Sequence, residues 1–434
     1  MTEVMTGGDR DRRSIPPAPP ARTLAPSRAM GTGDFSPRTP MERPTTTGLE
    51  PSEEHRLFHA TVRDFCEREL RPLVGAAESE ERFPRERVLP AMAALGLFRI
   101  GVPERLRGAG GDTWMQCIVA EEVARVCAGF AIAVMPSVLG PSLLTKLGTP
   151  AQQAASLEPL MAGDVLVAMA LTEPGAGSDL LALATTARDE GDGYVLNVAK
   201  TFISNGPAAD QVLVAAVSSD RADRRGLERA LGINLYVVER GTPGFHVARK
   251  LGKLGLRSSE TGELAFEECR VPRASRLGGE NVNFLRLMDV LDANRLYIAA
   301  LSLGIAQAAF EAARTYAMER VAFGKPIARH QTIAFKIARM AVEIDAARLL
   351  IQRAARLYDD GIRATKEVSM AKLFATEAAV RITGDALQVH GGYGYMTELP
   401  VERYFRDAKV GTIWEGTSEI QQLIIARELG LLDH

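Results

Sequence analysis

The spacing of apolar side chains divides the chain into helical, β-rich and again helical stretches. Between Glu53 and about Gly163, apolar residues recur three and four positions apart, with breaks at Pro84 and at Gly108–Gly111. Such spacing gives a helix one apolar face that can join a core. The pattern predicts an N-terminal helical domain over residues 49–164.

The pattern changes near Val165, where short runs rich in β-branched and aromatic residues begin. Turn sequences such as Gly191-Asp192-Gly193 and Gly241–Gly244 separate these runs, as expected for strands joined by tight connections. The spacing predicts a small β-barrel-like domain over residues 165–278. The predicted strands are Val165–Leu171, Tyr194–Ile203, Val212–Val217, Ile233–Val238 and Leu264–Phe266.

Long helical periodicities return after Gly278-Gly279, at roughly 281–318, 331–359, 364–389 and 418–430. Small residues on their apolar faces, such as Ala299-Ala300, allow helices to approach closely, as in a bundle. We therefore predict a C-terminal four-helix bundle over residues 279–434. The fold class is mixed α and β, mainly α.

The first 48 residues differ from the rest in composition. They are rich in proline and arginine and carry few large apolar side chains, so they cannot bury enough surface to offset the entropy of ordering. We predict a disordered extension over residues 1–48. A transit peptide is the alternative, favoured by arginine without lysine and opposed by Glu3, Asp9 and Asp11.

Composition narrows the functional class. A net charge of −2 gives no basic surface for nucleic acid. The four cysteines form no CxxC pair and no metal-ligand spacing with histidine, so we expect reduced thiols and no metal site. With no run of about 20 apolar residues and no secretory signal, the sequence predicts a cytoplasmic protein without a membrane span.

Seven short motifs, in order along the chain, resemble those of the FAD-dependent acyl-CoA dehydrogenases. They are Leu171–Asp179, Lys200–Gly206, Lys253–Ser259, Arg320–Pro326, Gln388–Tyr395, Arg406–Lys409 and Trp414–Gln421. The resemblance extends from about residue 53 to the C-terminus. It implies α,β-desaturation of an acyl thioester to the trans-2-enoyl product, with FAD as cofactor. It further implies an electron-transferring flavoprotein as partner and a homodimer or homotetramer.

The resemblance assigns the catalytic base to Glu415, in the sequence Trp-Glu-Gly-Thr, and places Gly416 beside the substrate. Ser418 and Gln421 have the Ser-x-x-Gln form of a capping box, which puts Glu415 just before a helix. Other members carry the base on an earlier helix, at the position of Asn294. An amide cannot accept a proton at working pH, which favours Glu415. The alternative for an isolated glutamate is a solvated loop residue.

Asp292 and Arg295 match the family's Asp-x-x-Arg pattern, in which the arginine lies near the acyl group. An ordinary ion pair between residues three apart on a helix is an equally good interpretation. Ser178 is the further residue that the resemblance places near the substrate.

The resemblance also assigns a set of cofactor contacts. Leu171 and Thr172 match residues at the flavin pyrimidine edge, Gly177 and Ser178 lie near the diphosphate, and Phe202 and Ser204 flank the ring. Phe202 replaces the family's usual tryptophan. Residues that reach FAD near a subunit interface or near its adenosine and diphosphate are Arg320, Phe323, Gln331, Gln388, Gly391, Gly392, Thr417 and Glu419.

Two further functions remain open. The motifs would also suit a flavin oxidase or oxygenase of the same fold, or a dehydrogenase acting on an acyl-carrier-protein thioester in specialised biosynthesis. Glu415 counts against an oxygen-reactive enzyme. A catalytically silent scaffold would bind no FAD. The acyl group is undetermined, because side chains near residues 116–135 and 287–291 suit either a pocket or a core.

Overall fold

The computed structural model describes residues 51–279 and 284–432, all within one compact unit, Gly48–His434. The extension predicted over residues 1–48 and the predicted helix start at residue 281 lie outside the described residues. The predicted fold class, mixed α and β and mainly α, is confirmed.

Six helices form the N-terminal part, as the apolar spacing predicts. Ser52 and Asp112 cap the first and fourth of them through their side chains. The helices are α1 Glu53–Phe65, α2 Val74–Glu80, α3 Arg85–Ala94, α4 Thr113–Val126, α5 Ala128–Leu147 and α6 Pro150–Ala162. Nearly every side chain of α4 and α5 is buried, because both helices pack inside the core rather than on its surface.

The middle part is a curled, mixed sheet of seven strands in the order β1-β4-β2-β3-β7-β6, with β5 paired to β4. The strands are β1 Val167–Ala170, β2 Thr186–Asp189, β3 Gly193–Ser204, β4 Gln211–Ser218, β5 Ile233–Glu239, β6 Phe245–Lys250 and β7 Thr261–Pro272. A short helix, α7 Gly226–Ala230, precedes β5.

The sequence missed two of these strands. β2 has four residues and a single buried side chain, and β6 lies at the edge of the sheet with mostly exposed side chains. Neither strand shows the apolar alternation that identifies a half-buried strand, because neither buries a full face.

The C-terminal part consists of long helices around a short hairpin, β8 Val321–Ala322 and β9 Lys325–Pro326. The helices are α8 Phe284–Glu319, α9 Gln331–Asp359, α10 Thr365–His390, α11 Val401–Ala408 and α12 Ser418–Glu428. The sequence missed α11, whose eight residues are fewer than the window of about 11–18 residues over which a helical period is counted. The close approach expected from small residues occurs: a Cβ added to Gly304 of α8 would lie 2.1 Å from the Glu121 carbonyl of α4.

Among the residues that the structure describes, two helices are long and apolar enough to cross a membrane by length and composition, α5 and the segment Leu287–Glu319 of α8. In each, 78% of the apolar window is buried inside the protein. The helical core therefore accounts for their apolar character.

Two of the seven motifs meet in a buried junction between the β region and the C-terminal helices. A Cβ added to Gly255 would lie 2.6 Å from the Arg406 carbonyl, and Leu256 donates its backbone N–H to Asp407 at 2.6 Å. Burial raises the pKa of Asp407 to about 6. These contacts give the two motifs a structural role, since they hold the loop between β6 and β7 against α11.

Candidate active site

The segment that carries Glu415 is a strained turn directly before α12. Glu415 has φ of 50° and Gly416 has φ of 90°, both in the left-handed region. This conformation costs a non-glycine residue about 1–3 kcal/mol and persists only where surrounding contacts hold it. The helix begins at Ser418 and its cap is Thr417, whose hydroxyl accepts from the N–H of Ile420 at 3.3 Å. The N-cap is therefore Thr417, and the capping box predicted from Ser418 and Gln421 is wrong.

Three buried side chains from three helices hold the carbonyls of this turn. Arg295 of α8 donates to the Glu415 carbonyl at 3.3 Å, and Lys372 of α10 donates to the Gly416 carbonyl at 2.6 Å. Gln421 of α12 donates to both carbonyls, at 3.2 and 3.0 Å. Instead of capping its own helix, Gln421 fixes the turn that precedes it.

The Glu415 carboxyl lies in a partly buried, positively charged environment. Burial raises its pKa above the ordinary value, while the charge of Arg295, a hydrogen bond from Asn294 and the charge of Lys372 oppose that rise in pKa. A carboxylate placed in this way can act as a base near neutral pH.

Arg295 and Asp292 form the ion pair expected from their spacing, while the position of Arg295 near the acyl group stays a prediction. They form a buried ion pair at 2.8 Å, and Thr365 donates its hydroxyl to the other Asp292 oxygen at 3.0 Å. The same guanidinium contacts the Glu415 carbonyl. The ion pair therefore orients Arg295 toward the turn that carries the candidate base.

A cavity of about 680 Å³ opens between α5, α6, α8 and the sheet. Most of its lining is apolar, with Leu139, Leu143 and Met169 among the contributors, and Asn294 is part of its wall. Asn294 directly precedes Arg295, whose guanidinium binds the Glu415 carbonyl, so the cavity reaches the helix face beside the candidate base. We call this space the acyl cavity.

The two stretches assigned to the flavin ring are joined by a buried ion pair. Lys200 donates to the Glu173 carboxylate at 2.8 Å and to the Leu171 carbonyl at 2.9 Å. Glu173 also accepts from the backbone of Ala184 and from Thr185. Burial alone would raise the pKa of Glu173, but the hydrogen bonds from Lys200 and Thr185 lower that pKa below its ordinary value.

The surface around these stretches leaves room for a large ligand. A Cβ added to Gly175 or Gly177 would meet no atom within 4 Å. Phe202 is 68% exposed at a positive φ of 59°. An exposed aromatic side chain in strained backbone is typical of a ligand contact rather than a core residue. Leu171, Thr172 and Ser204 are partly buried beside it, and Ser178 is exposed.

A second cavity, of about 460 Å³, brings together Arg320, Gly391 and Gly392 from the predicted cofactor set. The Arg320 guanidinium lies 5.8 Å from the centre of the Tyr393 ring. A Cβ on Gly391 or Gly392 would meet no atom within 4 Å, so a planar group can approach the backbone. Nearby, Phe323 is 94% exposed.

The remaining predicted residues line neither of these two cavities. Gln331 is the first residue of α9, and Gln388 lies in the last turn of α10. Thr417 caps α12 and Glu419 is exposed in its first turn. On either side of Glu415, the Trp414 indole nitrogen and the Ser418 hydroxyl are buried without a protein partner among the described residues. These unsatisfied groups, the open glycines and the exposed Phe202 fit a polar, planar cofactor such as FAD.

One group of side chains among the described residues has the spacing of a metal site. His59, Glu121 and Glu122 bring ligand atoms within 4.8 Å of one another. Arginine guanidinium groups already bind both carboxylates: Arg348 contacts Glu121 at 2.5 Å, and Arg63 contacts Glu122 at 2.9 Å. The trio is therefore part of an ion-pair network between helices.

Lys372 was not predicted as a site residue, and Gln421 was predicted only as part of a capping box. Lys372 is fully buried in α10, together with Val368 and Ala371 and the hydroxyl-bearing Ser369 and Thr376. The available signal was a lysine within the buried part of a long helix. Because buried lysines need compensation, that position could have been singled out.

Three family models match the chain: the acyl-CoA dehydrogenase N-terminal domain over residues 52–164, the middle domain over 168–269 and the C-terminal domain over 284–430. The chain is 44% identical over 384 residues to the mouse short-chain specific acyl-CoA dehydrogenase, covering 88% of this chain and 91% of that protein.

Solved structures agree. Butyryl-CoA dehydrogenase from Megasphaera elsdenii superposes with a TM-score of 0.82 at 36% identity, covering 88% of this chain and all of that one. The prolyl acyl carrier protein oxidase AnaB superposes with a TM-score of 0.80 at 29% identity, over 88% and 100% of the two chains. The chain belongs to the acyl-CoA dehydrogenase family, whose members are FAD-dependent oxidoreductases.

Proposed function

We propose that the protein is an acyl-CoA dehydrogenase in which Glu415 removes the α-proton of an acyl thioester to give the trans-2-enoyl product. The observation that carries this proposal is the Glu415 carboxyl itself. It lies on a strained turn, held by buried side chains from three helices, beside an apolar cavity large enough for an acyl group.

The chain's own residues account for the proton transfer. An acyl group bound in the apolar cavity would displace water, and the hydrogen-bonded turn restricts where the Glu415 side chain can lie, which lowers the entropic cost of reaction. Burial raises the pKa of Glu415, and the positive charges of Arg295 and Lys372 oppose that rise and so favour the ionised carboxylate. FAD, when bound, supplies the hydride acceptor for the β-carbon.

We assign the predicted cofactor and substrate residues to parts of FAD and of the acyl thioester. Leu171, Thr172, Gly177, Ser178, Phe202 and Ser204 would hold the flavin and the neighbouring thioester. Arg320, Phe323, Gln331, Gln388, Gly391, Gly392, Thr417 and Glu419 would hold the rest of FAD. Asp292, Arg295 and Gly416 would border the acyl thioester. Guanidinium groups and open backbone turns suit diphosphate recognition.

The direct test is anaerobic titration of the purified, FAD-loaded protein with straight, branched and aromatic acyl-CoAs. We expect the flavin absorbance to bleach and the electrons to pass to an added electron-transferring flavoprotein. Acyl groups on carrier protein form a second arm, motivated by the likeness to AnaB. Bleaching only by carrier-bound substrates would favour that alternative, and rapid reoxidation by air would favour an oxidase. A cytoplasmic location stays a prediction.

The acyl cavity should set the length of the acyl chain. Leu143 lines it and is partly buried, so Leu143→Phe enlarges a side chain that contacts the cavity. We expect kcat/KM for the longest accepted acyl-CoA to fall about 10-fold, with little change for butyryl-CoA, since one misfitting methylene costs about 1–3 kcal/mol in an apolar pocket. Leu57→Phe, on the exposed surface of α1, is the control. Equal losses for all chain lengths would contradict this assignment.

We also propose a homodimer or homotetramer. Phe335, Val342 and Leu349 are exposed along α9 at intervals of seven residues, which places them on one face of the helix. Val342→Glu should reduce the assembly measured by light scattering, because burying an unpaired charge in an interface costs several kcal/mol. Leu57→Glu makes a comparable change at a similarly exposed site on α1. An unchanged mass for Val342→Glu would exclude this face.

A further inference from the structure

Lys372 lies in the middle of α10 with no solvent exposure. Removing an ammonium group from water costs several kcal/mol unless nearby groups compensate. The buried neighbours of Lys372 on its own helix are apolar or carry neutral hydroxyls, as Ser369 and Thr376 do, so no buried carboxylate of α10 compensates its charge.

That compensation is found at the turn that carries the candidate base. The Lys372 ammonium donates to the Gly416 carbonyl at 2.6 Å, and among residues 51–279 and 284–432 this is its one hydrogen bond. No carboxylate in the described part of the chain forms an ion pair with it within 4.0 Å. Its positive charge is therefore neutralised only at longer range.

The charged groups around Lys372 come from four elements. Arg295 on α8 is already paired with Asp292, Glu377 on α10 lies 3.9 Å from Arg381, and Glu419 on α12 is exposed. Among the carboxylates, Glu415 has the largest electrostatic effect on the pKa of Lys372. Burial lowers the pKa of Lys372 to about 8, and the negative charge of Glu415 opposes that fall. The charged groups that bear on this site, directly or through these partners, are Asp292, Arg295, Glu377, Arg381, Lys409, Glu415 and Glu419.

A hydrogen bond alone does not explain a cation at this position. The neutral amide of Gln421 already donates to the carbonyls of both Glu415 and Gly416. A buried ammonium is a costly way to supply one more donor, and a glutamine would supply it at lower desolvation cost. The feature that distinguishes Lys372 from Gln421 is its charge.

We propose that Lys372 is a positioning residue whose buried positive charge keeps the Glu415 carboxylate ionised while its hydrogen bond to Gly416 fixes the turn. The inference rests on the proposed function of Glu415 as the base. In this proposal, Gln421 holds the turn through hydrogen bonds alone. Lys372 holds it through a hydrogen bond and also adds a positive charge.

The test compares Lys372→Gln, Lys372→Met, Lys372→Arg and Gln421→Met as FAD-loaded enzymes. The rate of anaerobic flavin bleaching by a saturating acyl-CoA is measured against pH for each. In the wild type the rate rises with pH as Glu415 loses its proton. We expect both charge-removing variants to shift this rise upward by about one pH unit, since a nearby opposite charge changes a carboxyl pKa by about 1–3 units.

The other two variants are the matched controls. Lys372→Arg keeps the charge and should leave the rise close to its wild-type position. Gln421→Met should lower the plateau rate without moving the rise, because it removes hydrogen bonds and no charge. If Lys372→Met fails to load FAD, Lys372→Gln is interpreted in the same way, since it keeps a donor.

A lower plateau with an unmoved rise in Lys372→Gln would overturn the proposal and leave Lys372 as a support of the turn. Equal shifts in Gln421→Met and Lys372→Gln would overturn it too, because geometry would then explain both. Failure of the proposed function has a different signature: no acyl thioester bleaches the wild type, or Glu415→Gln bleaches at the wild-type rate.

Discussion

Replacing Glu415 by glutamine is expected to lower the rate of anaerobic flavin bleaching by about 100- to 10,000-fold, the range over which positioned general bases contribute. Glutamine keeps the size of the side chain and removes its ability to accept a proton. The turn carbonyls stay bound by Arg295, Lys372 and Gln421, so the variant should fold and retain FAD.

The appropriate control is Glu398→Gln, the same change at an exposed position. It should bleach at the wild-type rate. Stopped-flow absorbance with saturating acyl-CoA measures both variants. Retention of more than about a tenth of the wild-type rate in Glu415→Gln would remove that residue as the base.

The second large effect is expected at Lys200, whose substitution by methionine should lower the free energy of unfolding by about 3–5 kcal/mol. Both members of the pair with Glu173 are buried, so loss of the ammonium leaves an uncompensated carboxylate in the interior. The same change frees the Leu171 carbonyl from its hydrogen bond, and FAD should dissociate more readily.

Thermal unfolding with and without added FAD measures this effect. The double variant Lys200→Met/Glu173→Leu removes both charges and should recover part of the lost free energy of unfolding. An interior without charges is more stable than one that contains a single unpaired carboxylate. A melting temperature equal to that of the wild type in Lys200→Met would show that the pair contributes little to stability.

The Lys200–Glu173 pair also determines the direction in which the stability of the protein changes with pH. Because the pKa of Glu173 is lowered in the folded protein, its contribution is present above the unfolded pKa of about 4.3 and is lost as pH falls through the folded value. Lys200→Met should weaken this acid sensitivity, since the hydrogen bond from Lys200 helps to lower the pKa of Glu173.

Local patterns were sufficient for much of the fold. The apolar spacing located the long helices and the main strands, because these elements bury one face or, like α4 and β5, nearly all of their side chains. It missed β2, β6 and α11, which are short or exposed. The position of Glu415 before a helix could also be predicted, since helix starts have local capping signals.

The sequence by itself determined the order of the three parts, the motifs of the family and Glu415 as the candidate base. Tertiary structure alone decided what surrounds that base. Arg295 lies 120 positions before Glu415, and Lys372 lies 44 positions before Gly416, and each contacts the turn only because α8 and α10 pack beside it. Contacts between distant positions depend on how helices pack, which no local period encodes.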